Sequence, residues 1–225
     1  SRVVGGLARL KTLLRIGEGS EAECCLRMAA LGEADAFAAL LTATERERSE
    51  GLSHEVMRAR FVVSRGLRRL LLSDCTGRPA AELRFAEDEG AKPRLLGGDG
   101  WDFNQSHAGD YVAVAVRRGA VGIDLEQQRE VRDMAAIVDR YFHSAEAAAW
   151  HALPEGRQAE DFFLLWSARE AAMKCAGLGL ARGMEVTRID PVLLERGRAT
   201  GRVGNEAVHL EKLEAPAGYV LVLGF

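Results

Sequence analysis

The chain has 225 residues, 48% of them hydrophobic, and a formal net charge of −3 at pH 7. A chain of this length and composition can bury one large core or two compact ones. The near-neutral balance excludes the strongly basic character of a general nucleic-acid binder. No apolar run reaches bilayer length and no leader pattern opens the chain, so no membrane partner is expected. The four cysteines, Cys24, Cys25, Cys75 and Cys175, form neither a CxxC pair nor a zinc spacing. They read as small buried hydrophobes in a reducing, cytoplasmic setting.

Residues 1–20 carry no readable pattern. Cys24–Met28 reads as a short strand, and Ala34–Ser49 as a helix with Phe37, Leu40 and Leu41 on one face. A longer helix follows, capped at Ser53, with Val56, Arg60, Val63 and Leu67 at helical spacing and the pattern running to Leu72. Cys75–Pro79 stops it. Leu83–Phe85 reads as a strand and Gly97–Gly100 as a turn. Tyr111–Val116 and Val121–Leu125 read as strands, with Arg117–Ala120 as a hairpin loop between them. Val131–Phe142 has helical spacing, Ser144 can cap a helix ending before Pro154, and Asp161–Ala176 is a third helix closed by Gly177. Val186–Ile189, Ala207–Leu213 and Tyr219–Leu223 are strand-like. Strands and helices are segregated rather than alternating, which argues for an α+β fold.

Three clusters have chemistry to offer. In Gly122-Ile123-Asp124-Leu125-Glu126, a strand points Asp124 and Glu126 to one face and Ile123 and Leu125 to the other, into the core. Paired carboxylates suit a hard cation such as Mg²⁺, which takes oxygen ligands and substrate phosphates. The plain alternative is a solvated acidic strand face. In Trp166–Lys174, a helix brings Trp166, Glu170 and Lys174 onto one face. The alternative is an ordinary Glu170–Lys174 ion pair. Phe103-Asn104-Gln105-Ser106-His107 is a polar knot before a strand, able to hold a phosphate or merely to make a turn. No Walker A loop and no GxGxxG is present.

Taken in order, these pieces resemble the surfactin-synthetase-activating (Sfp) type of phosphopantetheinyl transferase. That family's pattern is Gly-Lys-Pro, Phe-Asn-x-Ser-His, Gly-x-Asp-x-Glu, and Trp-(Ser/Thr)-x-Lys-Glu-Ala-x-x-Lys with a Gly-x-Gly-Leu tail. Here the pieces stand as Ala91-Lys92-Pro93, Phe103–His107, Gly122–Glu126, and Trp166–Lys174 followed by Gly177–Leu180. Each is common alone; four in this order are not.

The resemblance implies two similar α+β halves, 1–120 and 121–225, in a pseudo-twofold arrangement with the active site in the cleft between them. It implies a monomer that moves the phosphopantetheine arm of coenzyme A to a serine of an apo acyl, peptidyl or aryl carrier protein, releasing 3′,5′-ADP. Asp124, Glu126 and Glu170 match the family's Mg²⁺-binding acids. Glu170 also matches the base, and Lys174 the lysine that steadies the phosphates. Arg60, Lys92, Pro93, Ser106 and His107 match contacts to the nucleotide end of coenzyme A, and Arg48 aligns with another loosely. Two positions depart from the pattern. Arg169 replaces a lysine expected at the coenzyme A phosphates, and Ala91 replaces a glycine. The arginine-rich stretch Arg58–Arg69 is either a solvated helix face or a surface for an acidic carrier helix. Two other readings use the same acids: a different Mg²⁺-dependent phosphoryl-transfer enzyme, and a non-catalytic module that binds coenzyme A or carrier proteins. The Ser-His and Lys-Pro pieces argue against the first, and the presence of all three acids against the second.

Overall fold

A computed structural model describes residues 12–16, 22–87 and 92–225. The chain divides into two compact units. The first runs to Glu87 and resumes over Pro93–Gly119; the second holds Lys92 and Ala120–Phe225. Each combines an antiparallel sheet with one long helix, the α+β composition expected. No helix among the described residues is long and apolar enough to cross a membrane.

In the first unit β1 (Thr12–Ile16) pairs with β2 (Ala22–Ala30), which is longer than the short strand expected. Two short helices follow, α1 (Ala34–Ala38) and α2 (Ala43–Glu50). A single helix over 34–49 is therefore not what forms. Thr42 breaks it with a capping box: Glu45 N donates to Thr42 Oγ1 at 3.3 Å, and Thr42 N donates to Glu45 Oε2 at 2.9 Å. The long α3 (Glu55–Thr76) is capped at His54 rather than Ser53, and Gly77 ends it in the left-handed region at φ 72°. Val63, Leu67 and Leu71, four residues apart, are buried in one core with Val112, Val114 and Val116. Val56, expected in that stripe, is exposed.

The short strands β3 (Phe85–Ala86) and β4 (Arg94–Leu95) pair with each other, and β5 (Trp101–Ala108) pairs with β6 (Tyr111–Arg118). The sheet order is β1-β2-β6-β5. Leu83 and Arg84, expected in a strand with Phe85, lie outside it after a 3-10 turn over Ala80–Glu82. Phe103–His107 is strand rather than loop. The hairpin lies at Gly109-Asp110, where two residues join the Ala108–Tyr111 pair and Gly109 takes φ 49°. Arg117–Ala120 is no hairpin, because β6 belongs to the first sheet and β7 (Gly122–Gln127) to the second.

The second unit continues with α4 (Met134–Tyr141), α5 (Ser144–His151), α6 (Glu155–Cys175) and α7 (Leu180–Val186). It ends with β8 (Thr187–Ile189), α8 (Leu193–Arg196), β9 (Arg198–Val203), β10 (Glu206–Leu213) and β11 (Tyr219–Gly224). The sheet order is β7-β11-β10-β9-β8, antiparallel throughout. Ser144 is the first residue of α5 and His143 its cap. The third expected helix begins at Glu155 rather than Asp161. The strand β9 had no readable signal, because Gly201 stands where a side chain would announce it. A Cβ there would lie 2.9 Å from Leu210 and 3.0 Å from Ile189, so neighbouring strands fill the space instead.

From Asp161 to Cys175 the helix α6 is buried on nearly every side, as a central helix should be. It meets the sheet at a point where side chains are absent. A Cβ on Gly122 would lie 2.0 Å from the Ala171 carbonyl oxygen and 2.4 Å from the Cys175 backbone nitrogen. These are backbone atoms and cannot swing aside. Gly122→Ala is expected to push α6 off β7 and destabilise the fold by about 1–3 kcal/mol or more. Gly156→Ala, in the first turn of α6 with nothing near its Cβ, should instead stabilise by at most about 1 kcal/mol. Denaturant unfolding of the two variants distinguishes them.

Candidate active site

The placement of the carboxylates on β7 is set by period-two alternation. Gly122, Asp124 and Glu126 share one face of β7. Gly122 lies against Ala171 and Cys175 of α6, so this is the face that α6 covers. The acids are therefore not a solvated strand face: Asp124 is only 3% exposed. Ile123 and Leu125 point the other way. They are also buried, but they stand outside the core cluster that α6 forms with the rest of the sheet.

From α6 one stripe faces the acids. Among residues 161–175, only Trp166, Glu170 and Lys174 are incompletely buried, and they are four apart. Lys174 Nζ donates to Asp124 Oδ1 at 2.6 Å and lies 3.9 Å from Glu170 Oε2. The sequence-level pair Glu170–Lys174 is thus the looser of two ion pairs, and the tighter one crosses from helix to strand. Burial pushes the Glu170 carboxyl above its ordinary range. Lys174 opposes that shift, while Asp124 and Glu126 reinforce it. Glu126 is raised by burial first and by Asp124 second, against Arg129 and Lys174. The cluster carries three carboxylates against the Lys174 ammonium and, at its exposed edge, Arg129 at 3.5 Å from Glu126; it is an oxygen-rich donor set of the kind that suits a hard divalent cation. Among the described residues no three such groups stand already drawn together as a closed metal cage; Lys174 holds Asp124 instead.

The remaining expected residues divide between the units. Lys92 belongs with the second, where its Nζ donates to the Val121 carbonyl at 2.6 Å, just before β7. Ala91 lies outside the described residues. Pro93, Arg60, Ser106 and His107 belong to the first unit. Arg60 sits on α3 with its Nε buried and no hydrogen-bond partner among the described residues. Ser106 and His107 lie on β5, so as strand neighbours they point to opposite faces, a geometry a loop would not impose. Arg48 lines a cavity of about 890 Å³ in the first unit, with Arg46, Phe61, Arg65, Arg84 and Glu87.

Two arginine groups were not legible in their roles. Arg68 and Arg69 on α3 are buried rather than solvated. Arg69 grips Glu45 with Nε at 2.8 Å and Nη2 at 3.0 Å. Arg68 pairs with Glu87 at 2.9 Å and lies 3.8 Å over the Phe85 ring. Its pKa is lowered to about 9, by burial first and then by Arg65. Arg169, expected at the phosphates, is engaged within the fold. Its Nη1 donates to Glu146 Oε2 at 2.7 Å, and its Nη2 to the Met184 carbonyl. No sequence spacing links Arg169 to Glu146, 23 residues away. Of the cysteines, Cys24, Cys25 and Cys175 are buried and none of the four is in a disulfide; burial pushes the Cys24 thiol up to about 12.

Residues 120–222 match the 4′-phosphopantetheinyl transferase superfamily, and residues 31–118 match a 4′-phosphopantetheinyl transferase N-terminal family. The 4′-phosphopantetheinyl transferase HetI of Nostoc sp. is 29% identical over 72% of this chain and 72% of its own length. The 4′-phosphopantetheinyl transferase psf-1 of Bacillus pumilus is 33% identical over 64% of this chain and 60% of its own. The 4′-phosphopantetheinyl transferase Sfp of Bacillus subtilis is 27% identical over 66% of each chain.

The raised pKa of Glu170 has a consequence for stability. A carboxyl raised by folding favours the protonated folded state. Its contribution is full below the ordinary carboxylate range and is lost as pH rises through the raised value. Glu170→Gln is expected to stabilise the metal-free protein at neutral pH by about 0.5–2 kcal/mol. The gain should fade as pH falls to about 4. Thermal unfolding across that range checks it; a variant less stable than the parent at neutral pH contradicts it.

Proposed function

The chain belongs to the 4′-phosphopantetheinyl transferase superfamily, and from that premise we propose that it moves the phosphopantetheine arm of coenzyme A onto a serine of an apo carrier protein. The observation that carries the reading is the covered acid face of β7. It places Asp124 beside Lys174 and puts both in the electrostatic reach of Glu126 and Glu170.

Asp124, Glu126 and Glu170 are the oxygen donors that would hold a divalent cation such as Mg²⁺. When bound, the cation would offset charge on the pyrophosphate oxygens. Lys174 adds a positive charge at the same place. It already bridges Asp124 to Glu170, so it needs little reorganisation to meet a phosphate oxygen. The carrier serine hydroxyl must lose its proton as it attacks the β-phosphorus. Glu170, the acid the resemblance matches to the base, would take it. The serine oxygen–phosphorus bond forms, the bond from the β-phosphorus to the bridging oxygen breaks, and 3′,5′-ADP leaves with that oxygen. Most of this is positioning and charge stabilisation, as in other phosphoryl transfers. By the resemblance, Arg60, Lys92, Pro93, Ser106 and His107 would meet the nucleotide end of coenzyme A, with Arg48 aligned to such a contact only loosely.

The test is to incubate the protein with coenzyme A, Mg²⁺ and a panel of apo carrier proteins, and to weigh each carrier by intact mass spectrometry. The expected result is a carrier that gains one phosphopantetheine, with the gain absent when metal is withheld and absent in Glu170→Ala. No gain on any carrier, together with no rise in melting temperature on adding coenzyme A, would sink the proposal.

A further inference from the structure

The departure at position 169 has a structural partner that the transferase reading does not use. Glu146 on α5 is fully buried, and both of its carboxylate oxygens are engaged. Oε2 accepts from Arg169, and Oε1 accepts from the backbone N–H of Ile189 on β8 at 2.7 Å. Arg169 is 1% exposed and spreads its planar fork between Glu146 and the Met184 carbonyl of α7. Its guanidinium carbon also lies 5.6 Å over the Phe142 ring. One ion pair therefore ties α6 to α5, α7 and β8.

Its place on the helix matters more than its strength. Successive residues of an α-helix are about 100° apart. Arg169 and Ala171 therefore flank Glu170 on opposite sides. On one flank the Ala171 carbonyl is pressed onto Gly122 of β7. On the other, Arg169 is held by Glu146 and Met184. Any roll of α6 that carries Glu170 toward or away from Asp124 must break one of these two anchors. The second anchor is backed by α7 itself, where a Cβ on Gly183 would lie 2.2 Å from Met173 Sδ.

We propose that Arg169 and Glu146 are a positioning pair: they do not touch the substrate but set the rotation of α6, and so the aim of Glu170 and Lys174 at Asp124 and Glu126. Arginine suits the task because its rigid planar fork meets the Glu146 carboxylate and the Met184 carbonyl through separate nitrogens, so both contacts are fixed in direction. This inference rests on the transferase reading for its kinetic arm but not for its metal-binding arm.

The experiment uses Glu146→Gln/Arg169→Met, which removes both charges together. Deleting either alone would leave a charge buried without its partner and risk the fold. The readouts are melting temperature, Mn²⁺ binding to the protein alone followed by electron paramagnetic resonance, and transfer to a carrier with kcat and KM separated. The double variant should melt close to the parent, bind Mn²⁺ about 10–100-fold more weakly and lose kcat by a similar factor. KM for coenzyme A should be nearly unchanged. If it melts, binds Mn²⁺ and turns over as the parent does, the pair only holds the fold together and the inference falls. If the double variant does not fold, Arg169→Lys decides: a folded variant with lowered kcat and weakened Mn²⁺ binding supports positioning, and one equal to the parent in both overturns it. A parent that transfers to no carrier, with Mn²⁺ binding still weakened in the variant, removes the transferase reading and leaves the positioning pair standing. A parent that neither binds Mn²⁺ nor transfers removes both.

Discussion

The contact on which the second unit depends is the close approach of α6 to β7 at Gly122. The strand can lie against the helix backbone there because residue 122 has no side chain to interpose. Gly224 on the neighbouring strand makes the same allowance, with the Ala171 carbonyl 3.0 Å from where its Cβ would stand. From that contact the rest follows by periodicity. Two residues along the strand is Asp124, and three along the helix from Ala171 is Lys174, so the two meet at 2.6 Å. Two further along the strand is Glu126, and one back on the helix is Glu170. A helix held farther away by an ordinary side chain would leave the acids in water and the lysine without its tightest partner.

The same helix carries charges of two kinds. Glu170 and Lys174 lie on the one incompletely buried stripe of residues 161–175, among acids whose burial first, and mutual repulsion second, raises the pKa of Glu126 and Glu170. Holding such acids together is costly, and Lys174 offsets part of that cost. Arg169 lies in the interior with its counter-charge and a carbonyl beside it, which is the arrangement in which a buried ion can persist. The first unit repeats the tactic on its own long helix. There Arg68 and Arg69 are desolvated against Glu45, Glu87 and the Phe85 ring, tying α3 to α2 and to the segment just beyond β3. In both units the long helix is therefore fixed by apolar contact on one side and by buried arginine on another.

How much of this was readable differs element by element. The helices α3 and α6 were legible because their apolar positions recur at helical spacing over more than four turns. Where two local signals competed, the weaker-looking one won. The pattern Thr42-x-x-Glu45 is a capping box, and it split a helix that the spacing of Phe37, Leu40 and Leu41 appeared to join only on paper. Gly109-Asp110 was the hairpin turn, while Gly119, in a more conspicuous basic loop, marks the passage from one sheet to the next. A turn residue announces a change of direction but not which strands will pair after it. Strand β9 escaped notice because packing there is done by neighbours filling the space over Gly201.

The sequence by itself determined the family, the α+β class, the order of the motifs and the shared faces of Asp124 with Glu126 and of Glu170 with Lys174. Each of these depends on residue identity and on the periods of strand and helix, which are local properties. Only the tertiary structure decided that the acid face of β7 is the covered one, that Lys174 grips Asp124 more closely than Glu170, and that Arg169 turns inward to Glu146 and Met184. Those outcomes depend on which surfaces meet across 50 residues of chain in one case and 23 in the other. The meeting is governed by burial and by the absence of a side chain at Gly122, neither of which a local pattern can express.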